Sequence, residues 1–240
     1  MEIKNTNTLT LEDHYLKVLA YGVSGTGKTT FASTFPKPFF IDFDQGMLSL
    51  RGKDVSYVSC TDIVRNGVLV SHGCDEADKA FDEVLESPDF NTIIVDSITT
   101  YQASMLEKVL KTNNKTIPGI LEYGLRIKAL QNLFMKLRAV PKHVVIIAHE
   151  QVVKDELLGG VLIQPLVSGD KLPQQLPLYF DEVYRFVVRQ TTKKLEYVMF
   201  TKAGTNFTAK SRLGVLPSPM ESSYEAIVKC VNNEKGGDIS

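Results

Sequence analysis

Gly22-Val23-Ser24-Gly25-Thr26-Gly27-Lys28-Thr29 decides how the rest of this 240-residue chain is read. The stretch satisfies the pattern G-x-x-x-x-G-K-[ST] at every specified position. Leu16–Tyr21 before it reads as a strand, and Lys28–Ser33 after it reads as the start of a helix. Glycines let successive backbone N–H groups turn inward onto an anion, and a helix start adds partial positive charge. Gly22, Ser24, Gly25, Thr26, Gly27 and Thr30 are therefore expected to cradle phosphates, with Lys28 reaching the β- and γ-phosphates. The Thr29 hydroxyl is a Mg²⁺ ligand in this reading, and ATP with Mg²⁺ is the expected occupant.

Working outward, Thr92-Ile93-Ile94-Val95-Asp96-Ser97 is a continuous apolar strand that ends in an acid. Buried parallel strands have this composition, and ligands collect at their carboxyl ends. Asp96 is predicted to be the second metal-site residue, the Walker B acid. Phe39–Asp42 and Val144–Ala148 are two more buried strands, delivering Asp42-Phe43-Asp44 and His149-Glu150-Gln151 to the same rim. An acid such as Asp44 could orient and deprotonate the water that attacks ATP, although pattern alone leaves an acidic turn equally open. Arg51, just past that turn, is a candidate for stacking on the base.

Helices are expected between these strands, one capped by Asp75 and a long amphipathic one from Leu121 to near Pro141. A patch at Leu172–Leu178 reads as broken by Pro173 and Pro177. Glu182–Val188 and Leu195–Thr201 read as paired strands, and Ser222 or Ser223 as the cap of a last helix. Strand–helix alternation followed by strand pairs predicts an α/β fold. The expected architecture is a mainly parallel sheet with helices on both faces and an antiparallel C-terminal extension. The expected organisation is an arm over residues 1–15, a single core over 16–231 and a tail over 232–240.

Hydrophobic content of 43% and charged content of 23% are ordinary for a globular chain. A net charge of −1 argues against coating nucleic acid through bulk charge. No run approaches a membrane span and the start lacks a signal core, so a cytoplasmic protein without a membrane partner is expected. Cys60, Cys74 and Cys230 are sparse, and Cys60, His72 and Cys74 lack the paired spacing of structural zinc ligands.

The order phosphate loop, F-I-D-x-acid, I-I-V-D-S, then an apolar strand ending in a polar pair resembles the RecA-type recombinase core. More closely, the chain resembles the small phage-encoded, RecA-like ATPases that promote single-strand annealing. The segments carrying this are Gly22–Thr30, Phe40–Gly46, Ile93–Thr99, Ile146–Gln151, Tyr179–Tyr184 and Phe200–Arg212, within residues 16 to 215.

The resemblance implies roles residue by residue. Asp44 falls where RecA-type proteins carry a catalytic glutamate, and the shorter side chain is a departure. Glu150 falls where they carry a γ-phosphate-sensing glutamine, with His149 the better phosphate-facing partner. Thr112–Gly119 and Val152–Lys171 resemble the two DNA-binding loops, which nominates Lys111, Lys115, Lys154 and Lys171 as DNA contacts; solvated surface loops are the alternative.

From Arg185 to Arg212, seven cations stand against Glu196 alone. Lys202, Lys210 and Arg212 are the positions expected to reach the ATP of a neighbouring subunit, unless the ribbon is simply a charge-protected edge. The expected function is a DNA-dependent ATPase promoting annealing or strand exchange in phage recombination. Its expected partners are single-stranded DNA, further copies of itself and possible single-strand-binding proteins. Two alternatives stay open: an annealing protein that binds nucleotide without turnover, and a small nucleotide kinase.

Overall fold

The computed structural model describes residues 14–154, 159–169, 171–191 and 194–235. Most of the predicted arm, part of the second predicted DNA loop (155–158 and Asp170), Lys193 and the end of the predicted tail lie outside the described residues. The first half runs β1 (Lys17–Gly22), α1 (Lys28–Ala32), β2 (Pro38–Asp42), a 3₁₀ turn (Gly46–Leu50), β3 (Ser56–Ser59), β4 (Ile63–Arg65), β5 (Val68–Ser71) and α2 (Gly73–Glu86). Then come β6 (Thr92–Asp96), α3 (Ile98–Thr112), α4 (Ile120–Ala139), β7 (His143–Ala148), β8 (Glu150–Lys154), β9 (Val161–Pro165) and α5 (Leu172–Tyr179). The chain closes with β10 (Glu182–Gln190), β11 (Leu195–Phe200), β12 (Lys210–Ser211), β13 (Met220–Glu221) and α6 (Tyr224–Lys235).

Nine of the described strands form one sheet in the order β13-β11-β10-β1-β7-β6-β2-β3, with β12 also on β10. The pairs from β10 through β3 are parallel, whereas β11, β12 and β13 join antiparallel. One strand, β7, separates the phosphate-loop strand β1 from the acid-bearing strand β6. This is a RecA-like P-loop NTPase fold, with the antiparallel extension at the β10 edge.

The continuous apolar strands are explained by burial on both faces. Leu19 and Tyr21 point into a core shared with α2, α3, α4 and α5. Val18 and Ala20, their neighbours in β1, point into the opposite core with α1 and α6. Ile93 and Ile94 divide in the same way. Each fully buried side chain of this size contributes about 1.5–3 kcal/mol.

Two local expectations are corrected. Asp75 does not cap α2. The first helical N–H groups go instead to Asp62 Oδ1 (from Gly73, 2.7 Å) and Ser104 Oγ (from Cys74, 3.1 Å), and Asp75 pairs with Lys108 at 2.6 Å. Only glycine fits at position 73, because a Cβ there would stand 2.2 Å from the Cys60 carbonyl oxygen. Pro173 and Pro177 do not break α5: Pro173 lies in the first turn, where no helical N–H bond is needed. The small β4–β5 hairpin has no counterpart in the sequence reading. At the last helix, Ser223 Oγ accepts from Ala226 N (3.1 Å), which selects Ser223 as the cap.

Candidate nucleotide site

The site is built at the carboxyl ends of the parallel strands. Tyr21 is in register with Ala148, Ile147 with Asp96, and Asp96 with Asp42, so four strand ends meet along one rim. The chain leaving β1 must pass under β10, and a Cβ at Gly22 would stand 2.4 Å from the Phe186 carbonyl oxygen. Gly22 therefore serves close backbone approach and does not line the cleft. Gly27 has φ 86°, a left-handed conformation that favours glycine, and its carbonyl accepts from Phe31 N at 2.9 Å to open α1.

A cleft of about 530 Å³ follows, lined by Ser24 through Thr30 and by Asp44, Asp96 and His149, with Tyr197 and Ser222 opposite. In sheet order the acids and His149 lie on the β7 side of β1, and Tyr197 on the β10 side. A second cleft of about 570 Å³ lies among α2, α3 and α4, lined by Phe81, Tyr101, Met105 and Leu133. It has no phosphate loop, and its two lysines, Lys108 and Lys136, are paired with Asp75 and Asp82, so the chemistry selects the first.

Lys28 is buried, and its Nζ donates to the carbonyls of Gly22 (3.0 Å) and Val23 (2.7 Å). Burial lowers its pKa, while Asp96, Asp44 and Glu150 pull it back up. Thr29 Oγ1 donates to Asp96 Oδ2 at 2.7 Å. Burial, aided by the charges of Asp44 and Asp42, pushes the Asp96 carboxyl up to about 6 against the Thr29 hydrogen bond and Lys28. A carboxylate this desolvated beside two others gains from a cation. The residues fit Mg²⁺: one hydroxyl and one carboxylate leave the remaining positions to water and phosphate oxygens, the usual habit of this ion. Consistent with that sharing, no cluster of three or more His, Cys, Asp or Glu among the described residues could hold a metal on its own.

Asp44 enters the cleft one turn beyond β2, where Phe43 N and Asp44 N donate to the Asp96 carbonyl oxygen (2.6 and 3.2 Å). Its Oδ2 lies 3.0 Å from His149 Nε2, and its Oδ1 accepts from Thr100 Oγ1. Burial raises the Asp44 carboxyl, but hydrogen bonds from His149, Thr100 and Ser97 outweigh it and leave the group below the usual range.

Several expected site residues stand elsewhere. His149 lines the cleft as well, but its Nε2 is on Asp44, a partner the sequence did not suggest. Glu150 forms a two-pronged pair with Arg185 (3.0 and 3.4 Å) and does not line the cleft. Arg51 ends the 3₁₀ turn, exposed and outside the cleft lining. Lys210 and Arg212 lie at the far end of β10, since Lys210 pairs with Val183 while Phe186 abuts Gly22. Lys210 Nζ is held by the carbonyls of Pro177 and Phe180 (2.6 and 3.0 Å), and Arg212 pairs with Asp181 at 2.7 Å. Lys210 is thus held by main-chain carbonyls and Arg212 by a carboxylate of the same chain. Lys202 is exposed on the loop after β11.

Among the predicted DNA contacts, Lys115 is an ion-pair partner of the buried Glu122 at 2.7 Å. Lys111 Nζ donates to the Leu69 carbonyl (3.3 Å), and Lys154 and Lys171 are exposed at the end of β8 and just before α5. Thr100, which bonds Asp44, and Ser49, Tyr197 and Ser222, which line the cleft, were missed. Only Thr100 leaves a trace in the sequence, as part of the hydroxyl-rich run Ser97-Ile98-Thr99-Thr100 that follows the Walker B acid.

A family model described as an AAA domain matches residues 14–213. No curated protein matches the chain. Among solved structures, a KaiC-like protein from the hyperthermophilic archaeon Pyrococcus horikoshii is similar over 86% of this chain and 85% of its own, at 16% identity and a TM-score of 0.49. The flagellar accessory protein FlaH from Methanocaldococcus jannaschii is similar over 78% of each chain, at 13% identity and a TM-score of 0.37.

Proposed function

The chain belongs to the AAA domain family, and on that premise we propose that it is a DNA-dependent ATPase that assembles on single-stranded DNA. In this proposal it promotes annealing or strand exchange in phage recombination, in the host cytoplasm. The observation that carries the ATPase part is the meeting of Lys28, Thr29, Asp96 and Asp44 in one cleft. Ser24–Thr30 and Lys28 bind the phosphates, and Thr29 with Asp96 holds Mg²⁺. The bound ion supplies charge neutralisation at the β- and γ-phosphates. Asp44 orients the attacking water and takes its proton as the bond to the leaving ADP breaks.

The DNA part rests on the resemblance to RecA-like annealing ATPases and on exposed cations. Lys154, Lys171 and Lys202 are the exposed candidates whose side chains make no hydrogen bond or ion pair among the described residues, which favours them for DNA or for the ATP of a neighbouring copy. A single-strand-binding protein is a further proposed partner. No described helix is long and apolar enough to cross a membrane.

The test is ATP turnover at several protein concentrations, with and without single-stranded DNA. Turnover should rise with DNA and rise more than linearly with protein, and Lys28→Ala should abolish it. Unchanged turnover in Lys28→Ala would refute the ATPase assignment; turnover indifferent to DNA and to protein concentration would refute the assembly part.

A further inference from the structure

Asp44 is one methylene shorter than the glutamate the RecA-type family carries, so its reach and direction have to be set by its neighbours. Ser97, Thr100 and His149 all bond the carboxylate, and the last two hold one oxygen each. Thr100, in the first turn of α3, donates its hydroxyl to Oδ1, and His149, just past β7, meets Oδ2 at 3.0 Å. An ionised carboxylate is an acceptor only, so His149 Nε2 carries the hydrogen in this contact.

Thr100 and His149 are themselves fixed. His149 N donates to Thr99 Oγ1 (3.0 Å), and the His149 carbonyl accepts from Leu166 N (2.7 Å). Thr100 N donates to Ser97 Oγ (3.4 Å), and the Asp44 main chain is tied to the Asp96 carbonyl. Three strand ends and one helix start therefore fix a single carboxylate. A carboxylate has about four lone-pair sites, so these three bonds leave one for a water in the cleft that Asp44 lines.

We propose that Thr100 and His149 are positioning residues for hydrolysis, which clamp the two oxygens of Asp44 so that a short acid serves where a longer one is usual. The proposal rests on the ATPase reading above. Neither residue acts on the nucleotide itself; each acts through Asp44. Freed of one clamp, the carboxylate pivots about its side-chain torsions, and a displacement near 1 Å from a reacting group costs roughly 10²-fold in rate.

The test uses the full chain and separates kcat from nucleotide affinity. Thr100→Val and His149→Ala should lower kcat by roughly 10- to 100-fold while ATP affinity, measured by calorimetry, stays within about twofold. Thr100→Ser restores the hydroxyl and His149→Gln restores a donor, so both should recover most of kcat. In an Asp44→Asn background, Thr100→Val should cause no further loss, because the residue it positions no longer works as a base. The proposal is overturned if Thr100→Val and His149→Ala keep kcat within twofold. It is equally overturned if the conservative variants fail to recover activity, if affinity falls as far as kcat, or if the loss in the Asp44→Asn background is undiminished. A wild-type chain that binds ATP but does not turn it over would sink the ATPase reading and this proposal together, whereas every other negative result removes the clamp alone.

Discussion

Acid should destabilise this protein through His143, and the structure sets the size of the effect. The ring is buried at the start of β7, edge-on to Tyr15, Phe35 and Tyr224. Its Nδ1 accepts from Leu16 N at 3.1 Å, so a proton there destroys the bond. Burial, with Lys17 and His14 nearby, pushes its pKa from 6.5 down to about 4. The unfolded chain therefore takes up a proton below pH 6.5 that the folded chain refuses until about pH 4. Stability is fully present above 6.5 and is lost as pH falls through that window. Two and a half pH units at about 1.36 kcal/mol each give about 3 kcal/mol in full, of which about 2.5 kcal/mol is expressed by pH 4.5.

The assay is urea unfolding at pH 7.0, 6.0, 5.0 and 4.5, for wild type and for His143→Asn, whose side-chain oxygen keeps an acceptor for Leu16 without the titration. Carboxylates titrate in both proteins and cancel in the difference. The wild type should lose about 2.5 kcal/mol more than the variant between pH 7.0 and 4.5. A difference below about 1 kcal/mol would refute the reasoning.

Two further expectations can be checked directly. Gly22→Ala forces a methyl against the Phe186 carbonyl, so it should cost about 1–3 kcal/mol in denaturant and weaken nucleotide binding; an unaffected variant would show that β1 and β10 move apart freely. Glu122 accepts from Asn113 Nδ2, Lys115 Nζ and Gly119 N (3.0, 2.7 and 2.9 Å), so Glu122→Ala should speed hydrogen exchange across residues 113–121 while β1 is unchanged. Exchange at the wild-type rate there would mean that the loop does not depend on this carboxylate.

What could be read from the sequence was what is local. The phosphate loop needs particular residues at fixed spacing, and β6 announces itself by an apolar run ending in Asp96. For Lys210 and Arg212, composition records that a ribbon is basic, not which end of the sheet its cations reach. The Lys115 ion pair was hidden because its partner Glu122 belongs to the next helix, and an ion pair that closes a loop looks in sequence like a free lysine. The Asp44 clamp joins positions 44, 100 and 149, and Tyr197 reaches Gly27 across the antiparallel extension. Such contacts exist only once the strands are ordered side by side, and no window of neighbouring residues holds them.

The cleft has two walls of different ancestry along the chain. One is complete by residue 149, and the other arrives with Tyr197 and Ser222. A molecule gripping both walls would latch the late-arriving ribbon onto the early core, and the docked ribbon would in turn tighten the grip, since such linkage is reciprocal. At a hundredfold excess over its dissociation constant the occupant would add about 2.7 kcal/mol to stability. A chain cut after Gln190 would keep every phosphate-loop residue and still forfeit that reinforcement.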